Sequence, residues 1–203
     1  MIILVCKIKF VKSDDVNQKY LDRLLNTMNC SYGAFMLWKQ IRISLSVPES
    51  GQEKAERIKS IMDNYNGIFS TVLYTAENTF ITDLNKLFDK QGDSLKLETL
   101  VRDLSKEQQG KIRLLLKSIE SELNRVKVLR NNFTAHNARN IIDEKIYTEE
   151  IEKIFSVTGN IFNILVINIE NINFSWDDWE DTTRQSFLNL IDDLGYGQKN
   201  ISR

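Results

Sequence analysis

The amino-acid sequence predicts an all-α protein, a helical bundle folded as a single domain over residues 1–203. Three observations carry that reading. Apolar residues recur at intervals of three and four through most of the chain, the spacing that places them on one face of a helix. Pro48 is the only proline and the eight glycines are scattered, so helices meet few breaks and no Pro/Gly/Ser linker marks a domain boundary. The one segment that reads as a short strand is the apolar start, residues 1–10, and a lone strand has nothing with which to build a sheet. With 203 residues, 42% apolar and 27% charged, the chain can bury about 70% of the surface its unfolded form exposes, enough for a core without metals or disulfides.

In chain order, the periodicity predicts two helices at residues 16–29 and 31–46, separated around Asn29-Cys30-Ser31. The second ends before Val47-Pro48-Glu49-Ser50-Gly51, because a residue preceding proline is pushed away from the helical region. A helix follows from Gln52 to about Tyr65. The next, Ile68 to Phe88, aligns Phe69, Val72, Leu73, Ala76, Phe80, Leu84, Leu87 and Phe88. Asp89-Lys90-Gln91-Gly92-Asp93 closes it, and Ser94 is placed to cap a short helix with Leu97, Leu100, Val101 and Leu104. Glu107 to about His136 reads as one long helix, weakened locally at Gly110. Thr148 is the expected cap of a helix over 149–168, with Glu149 and Glu150 at the positive end of its dipole. Ser175-Trp176-Asp177-Asp178 opens a last helix that Gly195 and Gly197 stop, and Trp176 and Trp179 pack it onto the core.

Composition excludes several function classes. Cys6 and Cys30 are too few for a disulfide scaffold or a cysteine-rich metal site and are assigned to packing; one histidine leaves no multi-histidine site. Met1 to Cys6 is apolar, yet Lys7 and Lys9 follow too soon for a signal peptide or a membrane span, so a cytoplasmic protein without membrane contact is expected. The acidic pairs Asp177/Asp178, Asp192/Asp193 and Glu149/Glu150 read as caps or solvated surface, since adjacent helical side chains diverge. There is no P-loop or dinucleotide fingerprint. The formal charge of −1 hides an uneven division: residues 106–140 hold eight Lys or Arg against three Glu, whereas residues 141–203 hold five basic against twelve acidic side chains. A basic working surface on a neutral protein, suited to a polyanion, is compatible with that pattern.

The residues that depart from a plain bundle lie in Leu129-Arg130-Asn131-Asn132-Phe133-Thr134-Ala135-His136. Ile112, Leu115, Leu116, Ile119, Leu123, Val126 and Phe133 define an apolar stripe, and a helical step of about 100° sets Arg130 near its middle. A cation there must be paired, open to a cavity, or meet an anionic ligand. His136 falls at one edge of the same face, whereas Asn131 projects elsewhere on an ideal helix, so its participation calls for distortion or a second subunit. The plain alternative is that Arg130 snorkels from a helix edge and His136 is a satisfied boundary residue.

Arg130-Asn131 followed by His136 resembles the R-x4-6-H signature of HEPN domains, and Phe133-Thr134-Ala135-His136 resembles the AbiU2-like branch of that superfamily. The stretches 80–90 and 94–97 are similar to that branch's helix, acidic turn and short helix. The likeness covers approximately residues 15–170, leaving a C-terminal helical extension. It implies a HEPN-like helical bundle and a metal-independent endoribonuclease without cofactors. Two copies would face a common cleft in a homodimer. Arg130 would bind the scissile phosphate, Asn131 would orient the site, and His136 would assist proton transfer, leaving a cyclic phosphate. Arg125, Lys127 and Arg139 would attract the RNA substrate, while Lys111, Arg113 and Lys117 can equally be read as solvating the opposite face. A cognate antitoxin or regulatory protein, and a toxin or abortive-infection setting, are further implications. The sequence departs from the family where an acidic residue often follows the histidine, here Asn137-Ala138, and where a modified tyrosine stands in some toxins, here Arg139. The alternative is a noncatalytic HEPN-like interaction or RNA-binding module.

Overall fold

A computed structural model describes residues 16–88, 97–134, 145–167 and 177–201, and all of its regular elements are α-helices. They are α1 (Val16–Leu45), α2 (Val47–Ser50), α3 (Gln52–Asn64), α4 (Asn66–Phe88), α5 (Leu97–Val101), α6 (Lys106–Ser118), α7 (Glu120–Thr134), α8 (Thr148–Ile167) and α9 (Asp177–Ile201). The expected N-terminal strand, the acidic turn at 89–93, the Ser94 cap and the side chain of Trp176 lie outside the described residues, as do Cys6, His136 and Arg139.

Helix α1 is the axis of the bundle, packed against α4, α9, α3 and α8. It is continuous where two helices were expected. Ser31 explains this: it is fully buried, and its hydroxyl donates to the Phe80 carbonyl of α4 at 3.4 Å, so a residue that favours turns is satisfied inside a helix instead. Cys30 beside it is exposed rather than packed. Around the same level, Phe35 stacks on Phe155 of α8 at 5.3 Å and meets Phe80 edge-on at 5.5 Å, giving the main core its centre. A smaller core joins Ile41 of α1 to Ile58 and Ile61 of α3, Phe69 of α4, and Phe187 and Ile191 of α9. Lys39 ties three helices, with Glu152 of α8 at 2.7 Å and Glu180 of α9 at 3.2 Å. Burial opposes its charge, but those two carboxylates outweigh it and raise its pKa.

The turn after α1 is present and contains the single-turn α2, with Pro48 in its first turn where no amide is needed. Gly51 ends it at φ +78°, a conformation that strains any residue with a side chain. At the other end of the chain, Gly195 does not stop α9, which runs on to Ile201. A Cβ at Gly195 would lie 3.3 Å from Ile61 Cδ1 and 3.5 Å from Arg57 Nη2, so this glycine serves the close approach of α9 to α3. The Arg57–Asp192 ion pair at 2.8 Å clamps the same contact.

The long helix expected from 107 to 136 is two helices. Gly110 is tolerated within α6, and the break falls at Ile119, with φ −122° and ψ 15°. There the Ser118 hydroxyl donates to the Leu115 carbonyl at 2.7 Å, while the Ile119 amide turns to Leu116 at 3.3 Å. Glu120 and Glu122 then favour the start of α7. Among the described side chains of the predicted stripe, Ile112, Ile119 and Val126 are wholly buried, so the break bends the surface without turning its apolar face away from the core. Upstream, Ser105 and Gln108 form a reciprocal capping box on α6. Thr148 is the first residue of α8 rather than its cap: the Tyr147 carbonyl accepts from the Ile151 amide, and the Tyr147 amide donates to the Glu150 carboxylate at 3.0 Å.

Candidate functional site

Helix α7 presents its residues to three surroundings, as its helical step requires. Val126 is buried toward α4, with which α7 packs. Arg125 points to α8, where its guanidinium pairs with Glu150. Lys127, about 200° around the helix from Arg125, is exposed and lines a groove on the other side. Two of the predicted site residues, Arg125 and Lys127, therefore share one helix turn, yet they do not share a face.

A second ion pair, which the sequence reading did not anticipate, lies one turn earlier. Glu122 is 7% exposed, with Lys153 Nζ at 2.6 Å from Oε1 and the Ser121 hydroxyl donating to Oε2 at 2.7 Å. The Lys153 ammonium holds the carboxyl far below its ordinary value, to about 2, against the opposing effect of burial. Glu122 and Arg125 on α7 meet Lys153 and Glu150 on α8 in reversed order, so the two helices are antiparallel and their charges alternate. The signal in the sequence is the pair of three-residue spacings with opposite sign, legible only once the two helices are known to be neighbours.

Arg130 lies near the end of α7 and is half-buried. Its Nη1 donates to the Asn131 side-chain oxygen at 3.3 Å, and Asn131 is exposed. The two side chains meet within one subunit and on a regular helix, so no distortion is needed for them to act together. The position of His136 relative to this pair lies outside the described residues, as does that of Arg139.

The groove beside Lys127 has a volume of about 800 Å3 and runs between α4, α5, α6 and α7. Phe88 of α4, Val101 of α5, Leu116 of α6 and Leu123 of α7 form its accessible apolar floor, over the buried Leu84, Leu87, Leu97, Ile112 and Val126. Arg102, Arg113, Lys117 and Lys127 stand on its rim with Glu98 and Glu120. Lys111, by contrast, faces solvent in a pair with Glu107 at 2.7 Å. Among the described residues, no three His, Cys, Asp or Glu side chains are gathered as a metal site, and no helix is long and apolar enough to cross a membrane.

An all-helical bundle with an Arg-Asn pair near the end of a core helix defines the class, a HEPN-like fold. The sequence matches the HEPN_AbiU2 family, described as AbiU2, over residues 36–190, and the chain belongs to that family. The matched stretch begins within α1 and includes the first part of α9. No curated protein and no solved structure gives a significant match.

Proposed function

We propose that this protein is a metal-independent endoribonuclease of HEPN type, acting as a homodimer in which the Arg130, Asn131 and His136 of each subunit face a shared cleft. The observation that supports it most is the Arg130 guanidinium held against the Asn131 amide near the end of α7, in a chain of this family. A half-buried guanidinium is a strong partner for a phosphate, because its planar donors match two oxygens at once and water competes less for them. Arg130 then stabilises the charge that grows on the phosphate oxygens during attack, while Asn131 fixes its orientation. His136 moves the proton: the substrate's 2′-oxygen attacks the neighbouring phosphorus, the bond to the 5′-oxygen breaks, and the products are a 2′,3′-cyclic phosphate and a 5′-hydroxyl. A concerted displacement needs a base at the 2′-oxygen and an acid at the 5′-oxygen at the same moment, and a second copy supplies the second imidazole. Lys127 and Arg139 add attraction for the backbone, whereas the charge of Arg125 is matched by Glu150. A cognate antitoxin or other regulatory partner in the cytoplasm, and a role in toxin–antitoxin or abortive-infection antiviral defence, complete the proposal.

The test is single-turnover cleavage of RNA by the wild type, Arg130→Ala and His136→Ala, with circular dichroism and solution mass recorded for each. Removal of either side chain is expected to slow cleavage about 100-fold or more in folded dimers, with His136→Ala sparing RNA binding. Wild-type cleavage by folded His136→Ala would refute the assignment, and RNA binding without turnover in the wild type would establish the noncatalytic alternative.

A further inference from the structure

We propose that the groove between α4, α5, α6 and α7 seats unpaired nucleotides of the RNA strand whose scissile phosphate reaches Arg130; the proposal deepens the ribonuclease reading and rests on it. Four features of the groove point the same way. Arg102 from the turn after α5, Arg113 and Lys117 from α6 and Lys127 from α7 come to one rim, and among the described residues none of their side chains is in an ion pair or hydrogen bond. Two carboxylates, Glu98 and Glu120, share that rim, so the balance is cationic. The bundle carries salt bridges from α1 to α8, α1 to α9, α3 to α9 and α7 to α8, which makes four unused cations at one place a surface left for an external anion.

The floor is the second feature. Its accessible apolar surface is Phe88, Val101, Leu116 and Leu123, and a duplex keeps its base faces stacked on each other inside the helix, so only unpaired bases can lay an apolar face there. Asn85 is the third: it is 8% exposed, lines the groove, and its side chain makes no hydrogen bond among the described residues. Its amide is open to the groove, and a base edge offers both a donor and an acceptor to it. The fourth is continuity. Lys127 and Arg130 are three residues apart on α7, about 4.5 Å along the axis and about 60° in direction, so a strand leaving the groove at Lys127 arrives at Arg130 within one helical turn. An acidic protein segment would satisfy the cations, yet it would leave the link to Arg130 without a reason.

The experiment measures binding of a single-stranded 2′-O-methyl oligouridylate, which cannot be cleaved, by fluorescence anisotropy across a series of salt concentrations. Arg102→Gln, Arg113→Gln and Lys117→Gln are made singly and together, all at exposed positions, with circular dichroism as the folding control. Each lost phosphate contact is expected to lower the slope of log affinity against log salt by about 0.7, hence by about 2 in the triple variant, with an affinity loss of about tenfold or more. The paired duplex, an abasic strand of equal charge, and polyglutamate of equal charge should each bind the wild type about tenfold more weakly. Unchanged slope and affinity in the single and triple variants would overturn the proposal. Polyglutamate binding as tightly as RNA would make the groove an acidic-protein surface, and equal duplex binding would reduce it to a phosphate contact; either result overturns it as well. Wild-type cleavage with no groove effect leaves the ribonuclease reading standing alone. Groove-dependent binding with no cleavage of any RNA removes that reading and keeps the groove as a single-strand site.

Discussion

Substituting Glu122 or Lys153 tests the packing that holds α7, and with it Arg130, in place. Lys153→Met keeps the aliphatic stem but leaves a carboxylate that is 7% exposed without its cation. The drop of the Glu122 pKa from 4.5 to about 2 corresponds to about 3 kcal/mol at most, at about 1.36 kcal/mol per unit. Lys153 is 47% exposed, so water screens the pair and the expected loss is about 1–2 kcal/mol at neutral pH. The pH dependence has a definite sign. A carboxyl whose folded pKa is depressed contributes stability that is complete above its unfolded value near 4.5 and is lost as pH falls toward about 2. Glu122→Gln has no carboxylate to titrate, so the wild type should exceed it in stability at pH 7 by about 1–2 kcal/mol and converge with it by about pH 2. Urea unfolding followed by circular dichroism between those limits measures both gaps. A wild-type advantage that stays constant across the acid range, or a Lys153→Met variant as stable as wild type at pH 7, refutes the assignment of a strained, partner-dependent carboxylate at Glu122.

Three further outcomes are expected. Glu150→Ala removes the Arg125 pair and the acceptor of the Tyr147 amide together, and should destabilise the protein by about 1–2 kcal/mol in thermal unfolding, whereas Arg125→Glu combined with Glu150→Arg should recover part of what Arg125→Glu alone loses. RNA cleavage should persist in EDTA, spare DNA and yield 2′,3′-cyclic phosphate ends by mass spectrometry; a Mg²⁺ requirement, or equal cleavage of DNA, contradicts the 2′-hydroxyl mechanism. Light scattering should give the mass of a homodimer, and an active monomer would sink the shared site.

The helical class and most core faces were legible because they depend on period alone: Phe69, Ala76, Phe80, Leu84 and Leu87 of α4 are all buried as the three-four spacing requires. Helix ends were less legible, since they depend on partners distant in sequence. Ser31 looks like a break until Phe80 supplies its acceptor, and Gly195 looks like a stop until Ile61 and Arg57 occupy the space its missing Cβ leaves. Ser118-Ile119-Glu120-Ser121-Glu122 did carry a readable signal, a serine that competes for a carbonyl followed by an acidic first turn, and it outweighs Gly110 as a breakpoint. Within the site, the sequence identified Arg130 as a cation on the stripe's path and grouped Arg125 and Lys127 as neighbours. It could not show that these last two point to different helices.

The charge order on α7 and α8 fixes the structural part of Arg125. The rungs Glu122–Lys153 and Arg125–Glu150 descend α8 by three residues for each three climbed on α7, and Glu150 already belongs to the first turn of α8. Arg130 is five residues past the last rung, about 7.5 Å farther along the axis, where the rung pattern would fall ahead of the start of α8 at Thr148. The same residue type is thus anchored at 125 and carried beyond the ladder at 130. Direction adds to distance: five residues turn Arg130 about 140° around α7 from Arg125, so it leaves the face that meets α8, while the Tyr147–Glu150 contact fixes the start of α8 beside the last rung.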